Sequence, residues 1–211
     1  AVSAAREALV EMVAEQDEKL METYLESGEL DAPALRRGLT RAIRERSLFP
    51  VFALAAGKNM GVQPLLDALV ALAPDPAWRA VPATKPDGTA VELEVSDSQP
   101  AAAYIFKTFS DPYAGRISLF RLFTGTLNAD ATVANGGRDT TERLGGLSVM
   151  QGKEMIHVTE LHAGDIGAVP KLKESLTGGT LCAPARKVVL PPVVIPEAAI
   201  SFALSPKAKG D

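Results

Sequence analysis

Apolar residues recur at helical spacing in the first part of the chain. From Ser3 to Glu26 they lie at intervals near 3.6 residues, which predicts one long amphipathic helix with Ser3 capping its start. A second helix is predicted to begin with Asp31 as N-cap and Pro33 in its first turn, and to end before Leu48. On that helix the apolar positions face inward and the arginines face outward: Arg36, Arg37, Arg41, Arg44 and Arg46.

The next stretch combines a short apolar run, a loop of small residues and a helical pattern. Residues 51–54, Val-Phe-Ala-Leu, predict a buried strand of a parallel sheet. The loop 55–61 follows, and then a helix through Leu72 with Pro64 in its first turn. Because one strand cannot make a sheet, we interpret residues 1–73 as the closing α/β portion of a larger domain, truncated at its N-terminus.

Beyond that portion the period of the pattern changes to two. Four prolines between residues 74 and 86, followed by Asp87-Gly88, predict a stiff linker over 74–88. Short alternating runs separated by turn residues then predict a closed antiparallel β-barrel over 89–198. The predicted strands are 91–95, 103–106, 117–123, 131–133, 167–169 and 188–190. Residues 200–204 begin a further strand, so 199–211 are predicted to open a truncated third domain.

Composition narrows the class of protein. With 211 residues, 46% of them hydrophobic, the chain can build real cores, and its net charge of −4 argues against a general DNA binder. Cys182 is the single cysteine, and His157 and His162 lack neighbours at metal-ligand spacing, so neither a disulfide nor a structural zinc is expected. No apolar run is long enough to span a membrane and no signal peptide pattern is present. We therefore expect a cytoplasmic protein.

Four motifs follow one another along the chain: the A-A-G-K-N-M-G loop before the Pro64 helix, then D-P-Y-A-G-R at 111–116, G-T-L at 125–127 and G-D-I-G-A-V at 164–169. Their order resembles that of elongation factor G, a translational GTPase. The resemblance spans nearly the whole chain. It implies an α/β C-terminal part of a P-loop GTPase domain with its helical insert, followed by the all-β antiparallel barrel called domain II, from a factor that promotes translocation during protein synthesis. Differences at Ala55, at Gly57 and over 136–153 indicate a divergent paralogue.

The resemblance implies a role for Ala55, Ala56 and Gly57 in nucleotide binding. They correspond to the guanine-nucleotide motif whose backbone N–H reaches the guanine O6, although Ala55 replaces the usual serine. The phosphate-binding pattern G-x-x-x-x-G-K-[ST] and the Asn-Lys-x-Asp element do not occur in these residues. We therefore expect GTP or GDP with Mg²⁺ to bind the full-length parent, and neither nucleotide binding nor GTP hydrolysis by this chain alone. No catalytic or metal-ligating residue is predicted.

The resemblance also implies that the barrel contacts the small-subunit ribosomal RNA. Basic residues at turns and strand ends are the candidates for contacts with RNA phosphates: Arg116, Lys107, Arg121, Lys171 and Lys173. Arg138 and Arg143 are further candidates of the same kind. Arg116 is favoured because Gly115 allows a sharp turn just before it. The alternative for each of these residues is an ordinary solvated surface charge.

The sequence also leaves open a partner for the helical insert and two alternative functions for the whole chain. The resemblance implies that the helical insert faces the ribosomal stalk protein, so the arginine face over 36–46 is a candidate docking surface. The alternative is a solvated helix face with charge pairs such as Arg41 with Glu45. The chain as a whole could instead be a non-enzymatic RNA- or protein-binding adaptor, or part of a ribosome-protection or recycling GTPase. We expect a monomer with no DNA or membrane partner.

Overall fold

The structure is a computed structural model that describes residues 2–194 and 196–207. The chain divides into two compact units, Ala1–Trp78 and Arg79–Asp211. In the described residues, four α-helices lie in the first unit and the strands lie in the second. The predicted order of helices followed by an antiparallel β-barrel is confirmed. The helices are α1 (Val2–Ala14), α2 (Glu18–Ser27), α3 (Ala32–Arg44) and α4 (Val62–Leu72).

The N-terminal helical pattern forms two helices, so the prediction of one long helix was wrong. The break falls at Asp17, whose side chain caps α2 by accepting hydrogen bonds from the backbone N–H groups of Lys19 (3.0 Å) and Leu20 (3.3 Å). A carboxylate that satisfies these N–H groups favours a new helix start over continuation. Ser3, predicted as a cap, lies inside α1.

The second predicted helix and its cap are confirmed. Asp31 accepts a hydrogen bond from the Ala34 backbone N–H at 2.7 Å, and Pro33 lies in the first turn of α3. Helices α1 and α3 share a small core with the segment that joins α2 to α3. Its buried members are Val10, Val13, Ala14, Leu30 and Ala34.

The predicted buried strand at 51–54 was wrong. These residues carry no strand pairing, and the Val51 side chain is 94% exposed, with Phe52 and Leu54 also exposed. A β-strand needs a neighbour for its backbone hydrogen bonds, and the described part of the first unit offers none to this run. The helix after the loop is confirmed as α4, with Pro64 in its first turn.

The described part of the second unit contains twelve strands, most of which form one large antiparallel sheet. The eight-stranded sheet has the order β7-β6-β12-β3-β4-β11-β8-β9, and β1-β2 and β5-β10 form two small sheets. The strands are β1 (Val81–Thr84), β2 (Ala90–Leu93), β3 (Ala102–Asp111), β4 (Gly115–Thr124), β5 (Leu127–Asn128), β6 (Thr132–Asn135), β7 (Thr141–Arg143), β8 (Leu147–Gln151), β9 (Glu154–Val158), β10 (Glu160–Leu161), β11 (Ile166–Pro170) and β12 (Thr180–Cys182).

The large sheet curves round a single interior, which makes it a barrel. The interior cluster draws side chains from strands that are far apart in the sheet order, such as Val133 on β6 and Leu147 on β8. A flat sheet could not bring these strands to one core. A second cluster packs the β1-β2 hairpin against the outer face of β3, through residues such as Leu93 and Tyr104.

Several elements differ from the sequence prediction in place or kind. β1 lies within the segment 74–88 that was predicted to be a linker. The predicted strand 188–190 is reduced to one isolated bridge, between Val189 and Thr84. The predicted strand at 200–204 was wrong, because these residues are exposed and unpaired; residues 208–211 lie outside the described part of the chain.

Three further observations concern membrane spans, metal sites and the cysteine in the described residues. Among them, no helix is both long and apolar enough to cross a lipid bilayer. The same residues contain no cluster of three or more His, Cys, Asp or Glu side chains placed to hold a metal ion. Cys182 is buried, and burial raises the pKa of its thiol.

Candidate functional site

Strand directions bring three loops to one end of the barrel. β3 runs towards its turn with β4 at 111–115, and the register of β4 with β11 brings Pro170 beside Ile117 at the same end. The pairing of β12 with β3 and β6 adds the loop 171–179 and the turn 136–140. We call this group of three loops the hairpin end. The motif D-P-Y-A-G-R, residues 111–116, forms its β3-β4 turn and the start of β4.

The turn between β3 and β4 is held by Asp111. Its Oδ1 atom accepts hydrogen bonds from the backbone N–H groups of Tyr113 (2.9 Å) and Ala114 (2.8 Å), which hold the pKa of the Asp111 carboxyl below its usual value. Gly115 closes the turn at φ 75°, a backbone conformation that favours glycine. The turn is therefore fixed by its own sequence.

Arg116 anchors the neighbouring loop. Its backbone carbonyl accepts a 2.7 Å hydrogen bond from the Lys171 N–H. Its guanidinium Nη2 donates to the carbonyl oxygens of Leu172 and of Lys173, the latter at 3.1 Å. Because the guanidinium already binds two carbonyls of this chain, Arg116 acts as a positioning residue for the loop that carries Lys171 and Lys173.

Glu142 on β7 secures the same loop from the other side. Its Oε2 atom accepts hydrogen bonds from the backbone N–H groups of Lys173 (2.6 Å) and Glu174 (3.1 Å). Partial burial works to raise the pKa of Glu142, but the hydrogen bonds from Ser175, Lys173 and Glu174 together outweigh it and lower that pKa. The loop 171–175 is thus bound to β4 through the Arg116 guanidinium and to β7 through the Glu142 carboxylate.

Two more side chains complete the support of this loop. The Arg138 Nη1 atom donates to the Glu174 carbonyl at 3.2 Å, and the buried Asn135 Nδ2 atom donates to the Ser175 hydroxyl at 3.0 Å. Leu172 and Ser175 are buried, whereas Lys171 and Lys173 are exposed. The loop therefore displays two lysines on a backbone that is held at several positions.

The structure brings together only part of the predicted RNA-contact residues. Arg116, Lys171 and Lys173 meet at the hairpin end, with Arg138 beside them. Lys107 and Arg121 lie instead on the outer face of the sheet, where Lys107 pairs with Leu119 in register. The Arg121 guanidinium lies over the Phe123 ring, 5.6 Å from its centroid. Arg143 pairs with Asp130 at 3.4 Å.

Residues predicted to face a guanine base form a tight turn in the first unit. Ala56–Lys58 is a single turn of 3₁₀ helix, and the Ala55 N–H donates to the Met60 carbonyl at 3.0 Å. Within this turn the Lys58 N–H donates to the Ala55 carbonyl and the Asn59 N–H to the Ala56 carbonyl, both at 2.9 Å. All three predicted residues, Ala55, Ala56 and Gly57, are exposed.

Two arginines of α3, Arg41 and Arg44, pair with carboxylates of this chain. Arg41 bonds to Glu45 at 2.9 Å and also to Asp17, and these neighbours raise the pKa of Arg41. Arg44 pairs with Asp75 at 3.2 Å. Arg36, Arg37 and Arg46 are exposed. The helical pair Arg41 with Glu45 that the sequence suggested is therefore present.

Replacing Glu142 with glutamine should loosen the loop 171–175. A neutral acceptor binds N–H groups more weakly than a carboxylate, so we expect the amides of Lys173 and Glu174 to exchange about 3- to 10-fold faster in Glu142→Gln. Amide hydrogen exchange by NMR measures this. Glu154→Gln is the matched control, because Glu154 lies exposed beside the β8-β9 turn at the other end of the sheet.

The lowered pKa of Glu142 fixes the sign of a pH effect on the same amides. A carboxyl whose pKa is lower in the folded protein contributes stability above its unfolded pKa, about 4.3, and loses it as the pH falls through the folded value. We therefore expect acidification below about pH 4 to weaken protection at Lys173 and Glu174 in the native chain. Protection that does not change across this pH range would contradict the anchoring role of Glu142. Equal amide exchange in Glu142→Gln and Glu154→Gln would contradict it as well.

The fold is an antiparallel β-barrel preceded along the chain by a helical unit. Residues 100–184 match the family described as elongation factor G domain 2. A crystal structure of a protein from Thermus thermophilus is similar over 82% of this chain and 24% of that protein, at 30% sequence identity and a TM-score of 0.65. The chain is elongation factor G-like, and it spans about a quarter of the length of that protein.

Sequence reasoning missed the residues that support the loop. Glu142, Asn135 and Ser175 gave no motif, because each is an ordinary polar residue whose partner is far away in the chain. The turn signal Asn135-Gly136-Gly137 was visible in the sequence, but it did not show what the Asn135 side chain binds. Tyr113 lies in the motif D-P-Y-A-G-R, of which Arg116 alone was predicted to contact RNA.

Proposed function

We propose that this chain supplies the barrel through which an elongation factor G-like translational GTPase contacts small-subunit ribosomal RNA while it promotes translocation. The match of residues 100–184 to elongation factor G domain 2 is the observation that carries the proposal. The meeting of Lys171, Lys173 and Arg138 at one end of the barrel supports it. A ribosomal function implies a cytoplasmic protein.

The hairpin end suits phosphates rather than base edges. Lys171 and Lys173 are exposed ammonium groups, and their backbone is held by Arg116 and Glu142. Double-stranded RNA is recognised mainly by its shape and its phosphates, because side chains cannot read its narrow major groove. The chain carries a net charge of −4, so this contact depends on local lysines rather than on the overall field.

Nucleotide binding is assigned to the parent protein. We propose that the parent binds GTP or GDP with Mg²⁺, and that Ala55, Ala56 and Gly57 provide part of the wall behind the guanine. One neutral hydrogen bond contributes about 1 kcal/mol, whereas micromolar affinity requires about 8 kcal/mol. These residues alone therefore supply a small fraction of the binding free energy.

The helical unit has a proposed protein partner. We propose the ribosomal stalk protein, with the exposed Arg36 and Arg37 on α3 as the contact. Arg41 and Arg44 contribute less, because carboxylates of this chain already pair with them. Exposed cations favour an acidic partner surface and speed its association.

Removing the two exposed lysines should weaken ribosome binding and its dependence on salt. Each lost phosphate contact reduces the slope of log affinity against log salt by about 0.7 to 0.9. We expect Lys171→Gln/Lys173→Gln to lower both the affinity and the slope in co-sedimentation with small subunits across a salt series. Lys153→Gln is the matched control, since Lys153 is exposed in the β8-β9 turn at the opposite end.

Two outcomes of this experiment would reject the proposal. Binding that does not change between low and high salt would rule out a contact dominated by phosphates. Equal losses in Lys171→Gln/Lys173→Gln and in Lys153→Gln would show that the hairpin end has no special role.

A further inference from the structure

Tyr113 presents its aromatic ring at the tip of the β3-β4 hairpin. Its side chain is 97% exposed, whereas Tyr104 is 8% exposed and packs in a core cluster. An aromatic ring in water contributes nothing to folding through burial, so the stability of the barrel does not explain its position. The exposed ring is therefore available to a partner.

The backbone beneath the ring is fixed before any partner arrives. Asp111 accepts a hydrogen bond from the Tyr113 N–H itself, at 2.9 Å, and a second from Ala114. Gly115 then returns the chain into β4. A ring on a fixed backbone loses little conformational freedom on binding, which favours its use as a contact. Asp111 is thus a positioning residue for Tyr113.

The charges around the ring favour a nucleic acid. Arg116 follows Tyr113 by three residues at the end of the same turn, and it binds the loop that displays Lys171 and Lys173. The carboxylates of the hairpin end are Asp111, Asp139, Glu142 and Glu174. Asp111 and Glu142 accept backbone N–H groups of this chain, and Asp139 pairs with Lys187 at 2.6 Å. Glu174 is exposed, as are the two lysines. An exposed ring beside exposed cations matches the stacked base and neighbouring phosphates of single-stranded RNA.

We propose that Tyr113 stacks on an unpaired nucleobase of the RNA that the hairpin end contacts. This inference rests on the proposed ribosomal function, and it adds a specific ligand chemistry to it. The two lysines attract the phosphates of the RNA. The Tyr113 ring then favours sites where a base is unpaired and free to stack on it. The contact is tolerant of base identity, because every base has a π-face.

The test measures binding of the full chain to two RNA oligonucleotides at fixed salt, a single strand and the same strand with abasic sites. We expect Tyr113→Ala to weaken binding to the intact strand about 5- to 100-fold and to leave binding to the abasic strand unchanged. Tyr113→Phe keeps the ring and should bind like the native chain. Tyr113→Leu keeps an apolar side chain without the ring and should lose most of the effect of stacking.

The outcomes separate this inference from the proposed function. If the native chain binds the strand and the small subunit, and Tyr113→Ala binds them equally well, the stacking role is wrong while RNA contact stands. An equal loss on intact and abasic strands also rejects stacking, and indicates instead a contact with the sugar-phosphate backbone. If the native chain binds neither RNA nor the small subunit at low salt, both proposals fail.

Discussion

Phe120→Ala should lower the free energy of unfolding of the barrel by about 3 to 5 kcal/mol, the cost typical of a large buried side chain replaced by alanine. Phe120 on β4 is fully buried in the interior cluster, which also contains Ile105 and Leu122. In register it pairs with Gly167 on β11, and a Cβ atom at Gly167 would meet the Phe120 ring at 2.7 Å. The missing side chain at Gly167 makes room for the ring.

Urea denaturation followed by circular dichroism of the β-sheet measures this loss. Phe106→Ala is the matched control, because Phe106 lies on the neighbouring strand β3 with 42% of its side chain exposed. We expect the control to lose about 1 kcal/mol or less. Equal losses in the two variants would contradict the assignment of Phe120 to the interior of the barrel.

Residues that alternate cleanly were predictable as strands. β4 buries Phe120 and Leu122 and leaves Arg121 between them partly exposed, so the period of two is visible in the sequence. β12 was missed because Thr180–Cys182 is buried on both faces and too short to show a period. β7 was missed because its three residues are polar, and its pairing with β6 depends on tertiary contacts rather than on a local pattern.

The first unit shows how local signals can mislead. The apolar period near 3.6 continues across Asp17, so periodicity alone predicted one helix, but the capping bonds of the Asp17 side chain start a second one. The apolar run 51–54 matches a buried strand in composition, yet strand formation depends on a partner, which composition cannot reveal. Asp31 was predictable because its cap lies within three residues.

The candidate site was predictable in residue type but not in arrangement. The turn motif around Gly115 made Arg116 a candidate, and positions at turns and strand ends made Lys171 and Lys173 candidates. That the Arg116 guanidinium binds backbone carbonyls 56 and 57 residues away could not be read from sequence, because it depends on how β4 and β11 pair. The exposed ring of Tyr113 likewise became visible only in three dimensions.

Gly125→Ala should be as damaging as the loss of Phe120, for a different physical reason. Gly125 begins the motif G-T-L and has φ 77°, a conformation that costs an alanine about 1 to 2 kcal/mol. An added Cβ would also lie 2.5 Å from the Ala101 nitrogen and 2.6 Å from the Gln99 carbonyl oxygen. These are backbone atoms that cannot rotate away, so the segment 99–101 that leads into β3 must move.

Gly115→Ala separates the cost of backbone strain at positive φ from the cost of the steric clash of an added Cβ. Gly115 has φ 75°, nearly the same as Gly125, but an added Cβ would meet nothing within 4 Å. We expect Gly115→Ala to lose about 1 to 2 kcal/mol from backbone strain alone, and Gly125→Ala to lose more than about 3 kcal/mol in the same urea titration. Since the two glycines lie at opposite ends of β4, the difference reports on the close approach of the 99–101 segment at Gly125. Similar losses at the two positions would show that φ alone accounts for the glycine in the G-T-L motif.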